Sequence, residues 1–203
     1  MCGRYYIDDD DTIAEMRSIL NELNRKYQGT PMGAEMKTGE IFPTNVAPVI
    51  VAGKDAPAPV LMRWGYPKWK DAGVIINARA ETAEEKRTFS SSIAHRRCIL
   101  PANGFYEWEH ENGHTKQKFL LREKASPMLY MGGLYSAFED RDGVRYFAYV
   151  ILTVDANSSI SSLHDRMPLI MEPDKLLSWL TDEAYARRLL ASPCLADLSL
   201  SPV

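Results

Sequence analysis

Apolar positions near the start of the chain change their spacing after a few residues. Residues 2–7 (CGRYYI) are aromatic or β-branched in the main and end at an acidic run, which predicts a short N-terminal strand. Beyond that run, apolar residues recur at helical spacing up to Gly29, and Thr12 with Glu15 three residues later has the spacing of a capping box. The pattern therefore predicts a strand that fixes the terminus, followed by an amphipathic helix.

Three pairs of apolar runs in the middle of the chain predict antiparallel strands. The first pair flanks a Gly/Pro-rich connection. The other two flank Asn112-Gly113 and Asp142-Gly143, dipeptides that favour hairpin turns. The pairs are residues 46–52 with 59–64, residues 105–111 with 115–121, and residues 130–138 with 146–153.

Helical signals lie between and after these strands. Thr82 and Glu85 repeat the capping-box spacing, so a short helix is predicted just after Glu81, and Pro173 suits the first position of a later helix. Further helical segments are predicted at residues 157–163 and 182–190. Because strands in hairpins show no βαβ alternation, we expect one α+β domain over residues 1–203, with a mainly antiparallel, barrel-like core and peripheral helices.

Composition and charge limit the class of protein. With 45% hydrophobic and 25% charged residues, the chain has the make-up of a folded globular domain. No stretch reaches the roughly 18 apolar residues of a membrane span and no export signal is evident, so we expect a cytoplasmic monomer without membrane contact. The net charge of −3 excludes a lysine-coated polyanion binder, although a local basic groove remains open. The three widely spaced cysteines predict free thiols.

The second residue carries unusual chemistry. Cys2 follows Met1, and because cysteine is small we expect Met1 to be removed, which leaves Cys2 with both an α-amine and a thiol. An α-amine has a pKa of about 7.7 to 8.0, so a useful fraction is unprotonated near neutral pH. Such an amine attacks an aldehyde to give an imine, which the adjacent thiol can close into a thiazolidine ring. The alternative is that Cys2 is a small buried residue at the start of a strand.

Residues 77–82 (NARAET) lead into the predicted second helix. There Arg79 could hold a phosphate bidentately while Asn77 orients a reacting group, and backbone N–H groups at a helix start favour anions. Glu81 nearby leaves a second interpretation open, a solvated cluster of salt bridges.

Glu107 and His164 are candidate groups for proton transfer. Glu107 lies among aromatic residues, and an apolar setting raises the pKa of a carboxyl. Strand alternation places it on the opposite face from Tyr106 and Trp108, so a solvated, outward-facing carboxylate is equally open. His164 offers an imidazole, whose unperturbed pKa is about 6.5, and stands beside an arginine, but an isolated histidine is also often an ordinary surface or core residue.

Trp64 and Trp69 bracket a short segment that contains the basic residue Lys68. Aromatic faces interleaved with cations suit the stacking of unpaired bases, and the alternative is that these tryptophans belong to the core. Metal chemistry has little support, because His110 and His114 have a ligand-like interval without a cysteine or acidic partner at a suitable distance. No common nucleotide-binding or serine-hydrolase motif is present, so neither metal nor cofactor is expected.

Four segments together resemble the SOS response-associated peptidase (SRAP) family. They occur in that family's order, and the resemblance runs from Cys2 to about Pro168, with the remaining helices as its closing part. One departure lies in the aromatic loop, where the family commonly has Leu after Trp-Gly and this chain has Tyr66 after Gly65. The segments are MCGR at residues 1–4, NARAET at 77–82, RRCILPANGFYEW at 96–108 and HDRMP at 164–168.

The resemblance implies recognition of abasic sites in single-stranded DNA and covalent attachment to them through Cys2, with binding to damaged DNA in the nucleoid. It implies that Asn77 orients the nucleophile, that Glu107 shuttles protons, and that His164 helps to open the sugar to its aldehyde. The DNA-binding residues it implies are Arg4, Arg79 and Arg166 for phosphates, and Trp69 and Trp108 for stacking on bases.

Other activities stay open beside this one. An imine at the abasic sugar acidifies the neighbouring C2′ proton, so strand cleavage by β-elimination is expected as a side activity. The family's description also supports a cysteine peptidase, in which Cys2 attacks the Met1–Cys2 bond with help from His164 and Glu107. A third hypothesis is a non-covalent single-stranded DNA binding module in which Cys2 is only structural.

Overall fold

The computed structural model of the chain describes residues 2–9, 12–69, 71–109 and 117–203. Within these ranges the secondary structure is mainly strand, with short helices around it. The strands are β1 (Arg4–Ile7), β2 (Gly39–Ile41), β3 (Val46–Val51), β4 (Ala58–Trp64), β5 (Tyr66–Pro67), β6 (Val74–Ile75), β7 (Asn77–Arg79), β8 (Arg97–Ala102), β9 (Gly104–Trp108), β10 (Lys118–Glu123), β11 (Leu129–Glu139), β12 (Arg145–Asp155), β13 (Arg166–Pro168) and β14 (Leu198–Pro202). The helices are α1 (Ala14–Lys26), α2 (Pro31–Glu35), α3 (Ala80–Ala83), α4 (Ser90–His95), α5 (Leu176–Thr181) and α6 (Glu183–Leu190), with a 3-10 turn at Pro173–Lys175 before α5.

Five strands close into a barrel. Each pairs with the next in the order β11, β8, β3, β4 and β12, and β12 pairs back onto β11. All of these pairings are antiparallel except the one between β4 and β12. β13 and β7 extend the barrel sheet from β12, and β7 runs parallel to it. The expected α+β class with a mainly antiparallel, barrel-like core is confirmed.

A second sheet of five strands carries the N-terminus. Its order is β14, β10, β9, β1 and β2, and every neighbouring pair is antiparallel. The predicted N-terminal strand is thus confirmed, and it lies between β2 and β9 rather than at an edge. A terminus hydrogen-bonded on both sides has a fixed position, which matters for the chemistry of Cys2.

Aromatic side chains join this sheet to the barrel. The Tyr5 ring packs edge-on against Trp64 at 5.2 Å between ring centroids, and its hydroxyl lies 2.6 Å from the hydroxyl of Tyr149 on β12. All three side chains are fully buried. Buried hydroxyls need hydrogen-bond partners, so this pair satisfies both groups and fixes β1 to the barrel wall.

Both predicted capping boxes are wrong. α1 begins with Ile13 at its N-cap and no side-chain cap, and the Glu15 carboxylate instead accepts a hydrogen bond from the Tyr130 hydroxyl. α3 begins two residues earlier than Thr82, whose hydroxyl is buried and makes no hydrogen bond to a described residue. At α1, a tertiary hydrogen bond thus uses the Glu15 carboxylate that the capping box would have used.

The other predicted strand pairs and helical segments are present in the structure. The pairs β3–β4 and β11–β12 form where expected, and β9 pairs with β10, although the Asn112-Gly113 turn lies outside the described residues. Residues 157–163 form hydrogen-bonded turns, and α6 follows Asp182, which caps it by accepting from the Tyr185 N–H. None of the helices in the described ranges is both long and apolar enough to cross a membrane.

Candidate functional site

Cys2 lies two residues before β1, an interior strand of the second sheet, and is fully buried. Its thiol donates a weak hydrogen bond to the Arg4 carbonyl oxygen at 3.5 Å. Met1 lies outside the described residues, so the expected processing of the terminus stays a prediction. The alternation of β1 places Tyr5 and Ile7 in the core, and this packing holds the chain immediately after Cys2 in one position.

Asn77 contacts Cys2 from the barrel side. It is the first residue of β7, and its Nδ2 donates to the Cys2 carbonyl oxygen at 3.0 Å. The Asn77 Oδ1 is buried and makes no hydrogen bond to a described residue, so it is an acceptor available to a reacting group. The predicted pairing of Asn77 with Cys2 is thus present as a contact, whereas its role in the reaction stays a prediction.

Glu107 projects from β9 into the interior beside Cys2. Strand alternation does put it opposite Tyr106 and Trp108, but the face that Glu107 occupies is the inner one, so it is only 4% exposed. Burial raises the pKa of its carboxyl above the ordinary value, and the negative charge of Asp165 raises it further. The alternative of a solvated, outward-facing carboxylate is therefore wrong, and Glu107 has the environment of a proton-transfer group.

The Cys2 thiol is influenced by the same carboxyl. Burial raises the pKa of this thiol well above its ordinary value, and the negative charge of Glu107 acts in the same direction. A thiol in these surroundings is a neutral S–H group at neutral pH, because a thiolate would be desolvated and repelled. The sulfur is therefore not pre-activated in the manner of a thiol peptidase.

His164 lies in the loop before β13. Its Nδ1 accepts the Arg166 backbone N–H at 2.9 Å and also lies 2.7 Å from a carboxylate oxygen of Asp165. One nitrogen cannot accept from an N–H and donate to a carboxylate at once, and we favour the backbone bond because Asp165 is 82% exposed and well solvated. In that bond Nδ1 is the acceptor and carries no proton. The charge of Asp165 also acts on Glu107, which places this loop near the Cys2 site.

The predicted phosphate-binding arginines lie in different surroundings. Arg79 is exposed and two residues from Asn77, so both side chains project from the same face of β7. Arg166 is buried, and its guanidinium bonds to Asp155, to Glu81 at 2.8 Å and to the Thr153 carbonyl oxygen at 2.7 Å. The Arg166 Nε is buried and has no hydrogen-bond partner among the described residues. The role of Arg166 as a phosphate contact stays a prediction.

The tryptophan pair that brackets residues 65–68 divides between core and surface. Trp64 is fully buried, whereas Trp69 is 96% exposed. Tyr66, the departure from the family pattern, is buried against Phe89 and Phe138 at 5.9 and 4.9 Å between ring centroids. Tyr66 is thus part of the core, and Trp69 alone is available for stacking from this segment.

Arg4 and Trp108 meet on the outer face of the second sheet. The Arg4 guanidinium lies 5.3 Å from the centre of the Trp108 ring and 4.2 Å from that of Phe42, and it donates to Glu40 at 3.0 Å. Lys118 also donates to Glu40, at 2.9 Å. Sequence reasoning missed Glu40 and Lys118, because only the strand register brings them to Arg4.

Among the described residues, no group of three or more His, Cys, Asp or Glu side chains is arranged to hold a metal ion. His110 and His114 lie outside those residues. What the site does offer is a buried carboxyl, a neutral thiol and an amide at the beginning of a fixed strand, with an imidazole nearby. These groups are suited to nucleophilic and acid–base catalysis on a carbonyl compound.

Comparison with known proteins shows the family of this chain. The family model for "SOS response associated peptidase (SRAP)" matches residues 1–203, and the chain belongs to this family. It is 35% identical over 208 residues to the abasic site processing protein YedK of Escherichia coli (strain K12), covering 96% of this chain and 87% of that protein. It is 32% identical over 200 residues to the abasic site processing protein YoqW of Bacillus subtilis (strain 168), covering 94% of this chain and 86% of that protein.

Solved structures show the same fold. A crystal structure of a protein from Bacteroides thetaiotaomicron matches with a TM-score of 0.77 at 22% identity, covering all of this chain and 92% of that one. A protein from Bordetella bronchiseptica matches with a TM-score of 0.76, also at 22% identity, covering all of this chain and 99% of that one.

Proposed function

We propose that this protein recognises abasic sites in single-stranded DNA and becomes covalently linked to them through Cys2 after removal of Met1. The relatives named above are abasic site processing proteins, and the chain belongs to their family. The single observation that carries the proposal is the position of Cys2, fixed just before an interior strand with Asn77 on its carbonyl and Glu107 near its thiol.

The proposed reaction begins with the open-chain form of the abasic deoxyribose, whose aldehyde carbon is C1′. His164 assists ring opening by proton transfer at the sugar oxygens. The unprotonated Cys2 amine attacks C1′ to give a carbinolamine, and Glu107 donates a proton to the hydroxyl that leaves as water. The Cys2 sulfur then adds to the imine carbon and its proton passes to the nitrogen, which closes a thiazolidine with net loss of one water.

The order of these steps follows from the surroundings of Cys2. Because its thiol is neutral, the amine is the group that attacks first, and the sulfur reacts only with the more electrophilic imine. The fixed strand makes ring closure intramolecular, where effective molarities are high. No step requires a cofactor.

The imine is also the branch point for strand cleavage. Its positive charge, when protonated, acidifies the C2′ proton, and loss of that proton expels the 3′ phosphate by β-elimination. Ring closure removes the imine, so the thiol suppresses lyase activity. We expect a low lyase activity beside the crosslink.

The DNA path over the site uses the exposed groups that surround it. Arg79, beside Asn77, is placed to hold a phosphate next to the reacting sugar; α3 has only four residues, so the guanidinium rather than a helix dipole supplies the attraction. Trp69 offers a free ring for stacking, and Arg4 with Trp108 offers a cation and a ring on the outer sheet face. Arg166 fixes the segments that carry His164 and Glu81.

The test is a crosslinking reaction between purified protein and a single-stranded oligonucleotide with one abasic site. We expect a band of retarded mobility on a denaturing gel, with a mass equal to the sum of protein and DNA less one water, and the modification on Cys2. An undamaged oligonucleotide of the same sequence should give no such band. A conjugate whose modification maps to a lysine would overturn the proposal.

A second candidate activity is removal of Met1 by the chain itself. The family's description as a peptidase supports it, and Glu107 is close enough to Cys2 for its charge to act on the thiol. The Cys2 sulfur would attack the Met1 carbonyl carbon, the Met1–Cys2 C–N bond would break with the proton passing to the new amine, and water would hydrolyse the thioester. Glu107 and His164 would carry the protons.

Intact mass spectrometry tests self-processing. In cells that lack methionine aminopeptidase activity, we expect wild-type protein without Met1 and the Glu107→Gln variant with Met1 retained. Wild-type protein that keeps Met1 in such cells would show that processing depends on a separate enzyme. That result would leave the crosslinking proposal intact.

A further inference from the structure

The second sheet has one face turned away from the barrel, and this outer face is a ladder of cations and aromatic rings. Side chains of alternate residues project from it, because successive residues on a strand point to opposite faces. Arg4 pairs with Tyr106, and Trp108 pairs with Lys118. These pairings bring side chains of β1, β9 and β10 side by side on the outer face. Leu120 and Tyr106 lie opposite each other on this face and are both buried. The cations and rings of the outer face are Arg4 and Tyr6 on β1, Tyr106 and Trp108 on β9, and Lys118 and Arg122 on β10.

Each of the three cations of the outer face lies over an aromatic ring. The Lys118 ammonium is 3.9 Å from the centre of the Tyr106 ring and 5.9 Å from that of Trp108. The Arg122 guanidinium is 5.9 Å from the centre of the Tyr6 ring. Contacts within about 6 Å of a ring centre are attractive, so the rings hold the cations in place on the surface.

Glu40 is the one carboxylate that contacts two of these cations among the described residues. Both of its oxygens accept from Lys118 at 2.9 Å, and one accepts from Arg4 at 3.0 Å. These bonds lower the pKa of Glu40 despite its partial burial, so it is an anion at neutral pH. The Glu40 carboxylate thus occupies a position between two cations where a phosphate could bind in its place.

The outer face begins beside the reacting residue. In the antiparallel pairing of β1 with β9, Arg4 lies opposite Tyr106. Two residues earlier on β1 comes Cys2, and two residues later on β9 comes Trp108, so this register brings Cys2 to the Trp108 end of the face. From Lys118 to Arg122 the face continues for about 13 Å along β10, at 3.3 to 3.4 Å per residue.

We propose that the DNA strand flanking the abasic site lies across this outer face, with Lys118 and Arg122 contacting its phosphates and the partly exposed rings of Tyr6 and Trp108 supporting its bases. This inference rests on the proposed function, because it needs the abasic sugar to be held at Cys2. Single-stranded DNA is the occupant that fits, since it offers a π face on every base together with a regular row of negative charges. Glu40 is the internal competitor that a phosphate displaces from Lys118 and Arg4.

The experiment measures non-covalent binding, so that it is independent of the crosslink. The probe is a fluorescent single-stranded oligonucleotide with a tetrahydrofuran abasic analogue, which has no aldehyde, and anisotropy is read over a range of salt concentrations. We expect Lys118→Gln and Arg122→Gln each to weaken binding about fivefold at 0.1 M salt and to reduce the salt slope by about 0.7, the contribution of one phosphate contact on a single strand.

Arg63→Gln is the matched control. Arg63 is also an arginine that lies over a ring, Tyr146 at 5.7 Å, and pairs with a carboxylate, Glu35 at 2.9 Å, but it projects from β4 of the barrel. It removes the same charge from a different surface and should leave affinity and salt slope unchanged. Equal losses in Arg63→Gln and in the two outer-face variants would reduce the effect to net charge and overturn the proposal.

Glu40→Gln separates a binding role from a structural one. If Glu40 competes with phosphate, its loss should tighten binding by up to about fivefold, opposite in sign to Lys118→Gln. If the cluster only stabilises the sheet, Glu40→Gln and Lys118→Gln should change the affinity for DNA in the same direction. Weaker binding in Glu40→Gln would therefore overturn the competitor role.

Failure of this inference differs from failure of the proposed function. If Lys118→Gln and Arg122→Gln bind like wild type while wild type still crosslinks an aldehyde-bearing oligonucleotide, the outer face is not the DNA path and the proposed function stands. If wild type neither binds the analogue nor crosslinks the aldehyde, both are overturned. Thermal unfolding of each variant confirms that the sheet remains intact.

Discussion

The Cys2→Ala variant is expected to lose the stable DNA adduct, by at least about 100-fold in yield, because well-oriented intramolecular ring closure is what makes the link persistent. The alanine variant still has an α-amine after Met1 removal, so the imine forms but cannot close. Two consequences distinguish this from simple inactivation. Borohydride should trap a reduced conjugate in the variant, and β-elimination should increase relative to wild type, since the imine persists. Denaturing gels with and without borohydride measure both.

Cys194→Ala is the control for the loss of a thiol. Cys194 is also buried and unoxidised, and its thiol contacts the Ile170 carbonyl oxygen rather than any group of the site. Its adduct yield should equal that of wild type. A heat-stable, unreduced adduct in Cys2→Ala at wild-type yield would mean that the thiol is not part of the linkage.

Glu107→Gln is expected to slow adduct formation by about 10² to 10⁴, the usual contribution of a positioned acid–base group, while binding to the tetrahydrofuran analogue is unchanged. The amide keeps the shape of the side chain but cannot donate the proton that the carbinolamine hydroxyl needs. Single-turnover crosslinking measures the rate. Glu123→Gln is the matched control, because Glu123 is another strand carboxyl whose pKa is raised by burial, on β10, and it should react at the wild-type rate.

The pH dependence of the rate gives a second readout for Glu107. Low pH protonates the Cys2 amine, and high pH removes the Glu107 proton, so the wild-type rate should fall at both ends. Burial raises the pKa of Glu107, so the fall in rate at high pH should occur above the ordinary carboxyl range. This high-pH limb of the profile should be absent in Glu107→Gln. An unchanged high-pH limb in the variant would assign it to another group.

Stability separates chemistry from misfolding in this variant. The folded-state pKa of Glu107 is raised, so its contribution to stability is fully present below the ordinary carboxyl pKa and is lost as the pH rises through the folded value. Glutamine stays uncharged at all pH values. Glu107→Gln should therefore be at least as stable as wild type at neutral pH, as urea denaturation can measure, and lost activity cannot be ascribed to unfolding.

Hairpin turns show how far local signals reach. A two-residue turn at Asn112-Gly113 would pair Glu107 with Lys118, whereas β9 and β10 pair Trp108 with Lys118. A shift of one residue in register moves every side chain of a strand to the other face. The residues of the outer face could therefore not be predicted from the Asn112-Gly113 dipeptide alone. The strands were predictable from their apolar runs, and their register was decided by burial across the sheet.

The sequence by itself determined the chemistry-bearing residue types and most elements. The aminothiol at Cys2, the acid–base candidates Glu107 and His164, and the strand-rich α+β class all follow from residue type, position and periodicity. The fold class was predictable because hairpin signals and the absence of βαβ alternation are local properties.

Only the tertiary structure decided which face each strand buries and which residues meet. It put Glu107 on the inner face of its sheet and Trp108 on the outer face, it brought Asn77 across from the barrel to the Cys2 carbonyl, and it took the Arg166 guanidinium into an ion-paired interior. Parallel pairing of β7 with β12 and closure of the barrel join residues far apart in the chain. Such contacts depend on burial and on electrostatics across several elements, which no local pattern specifies.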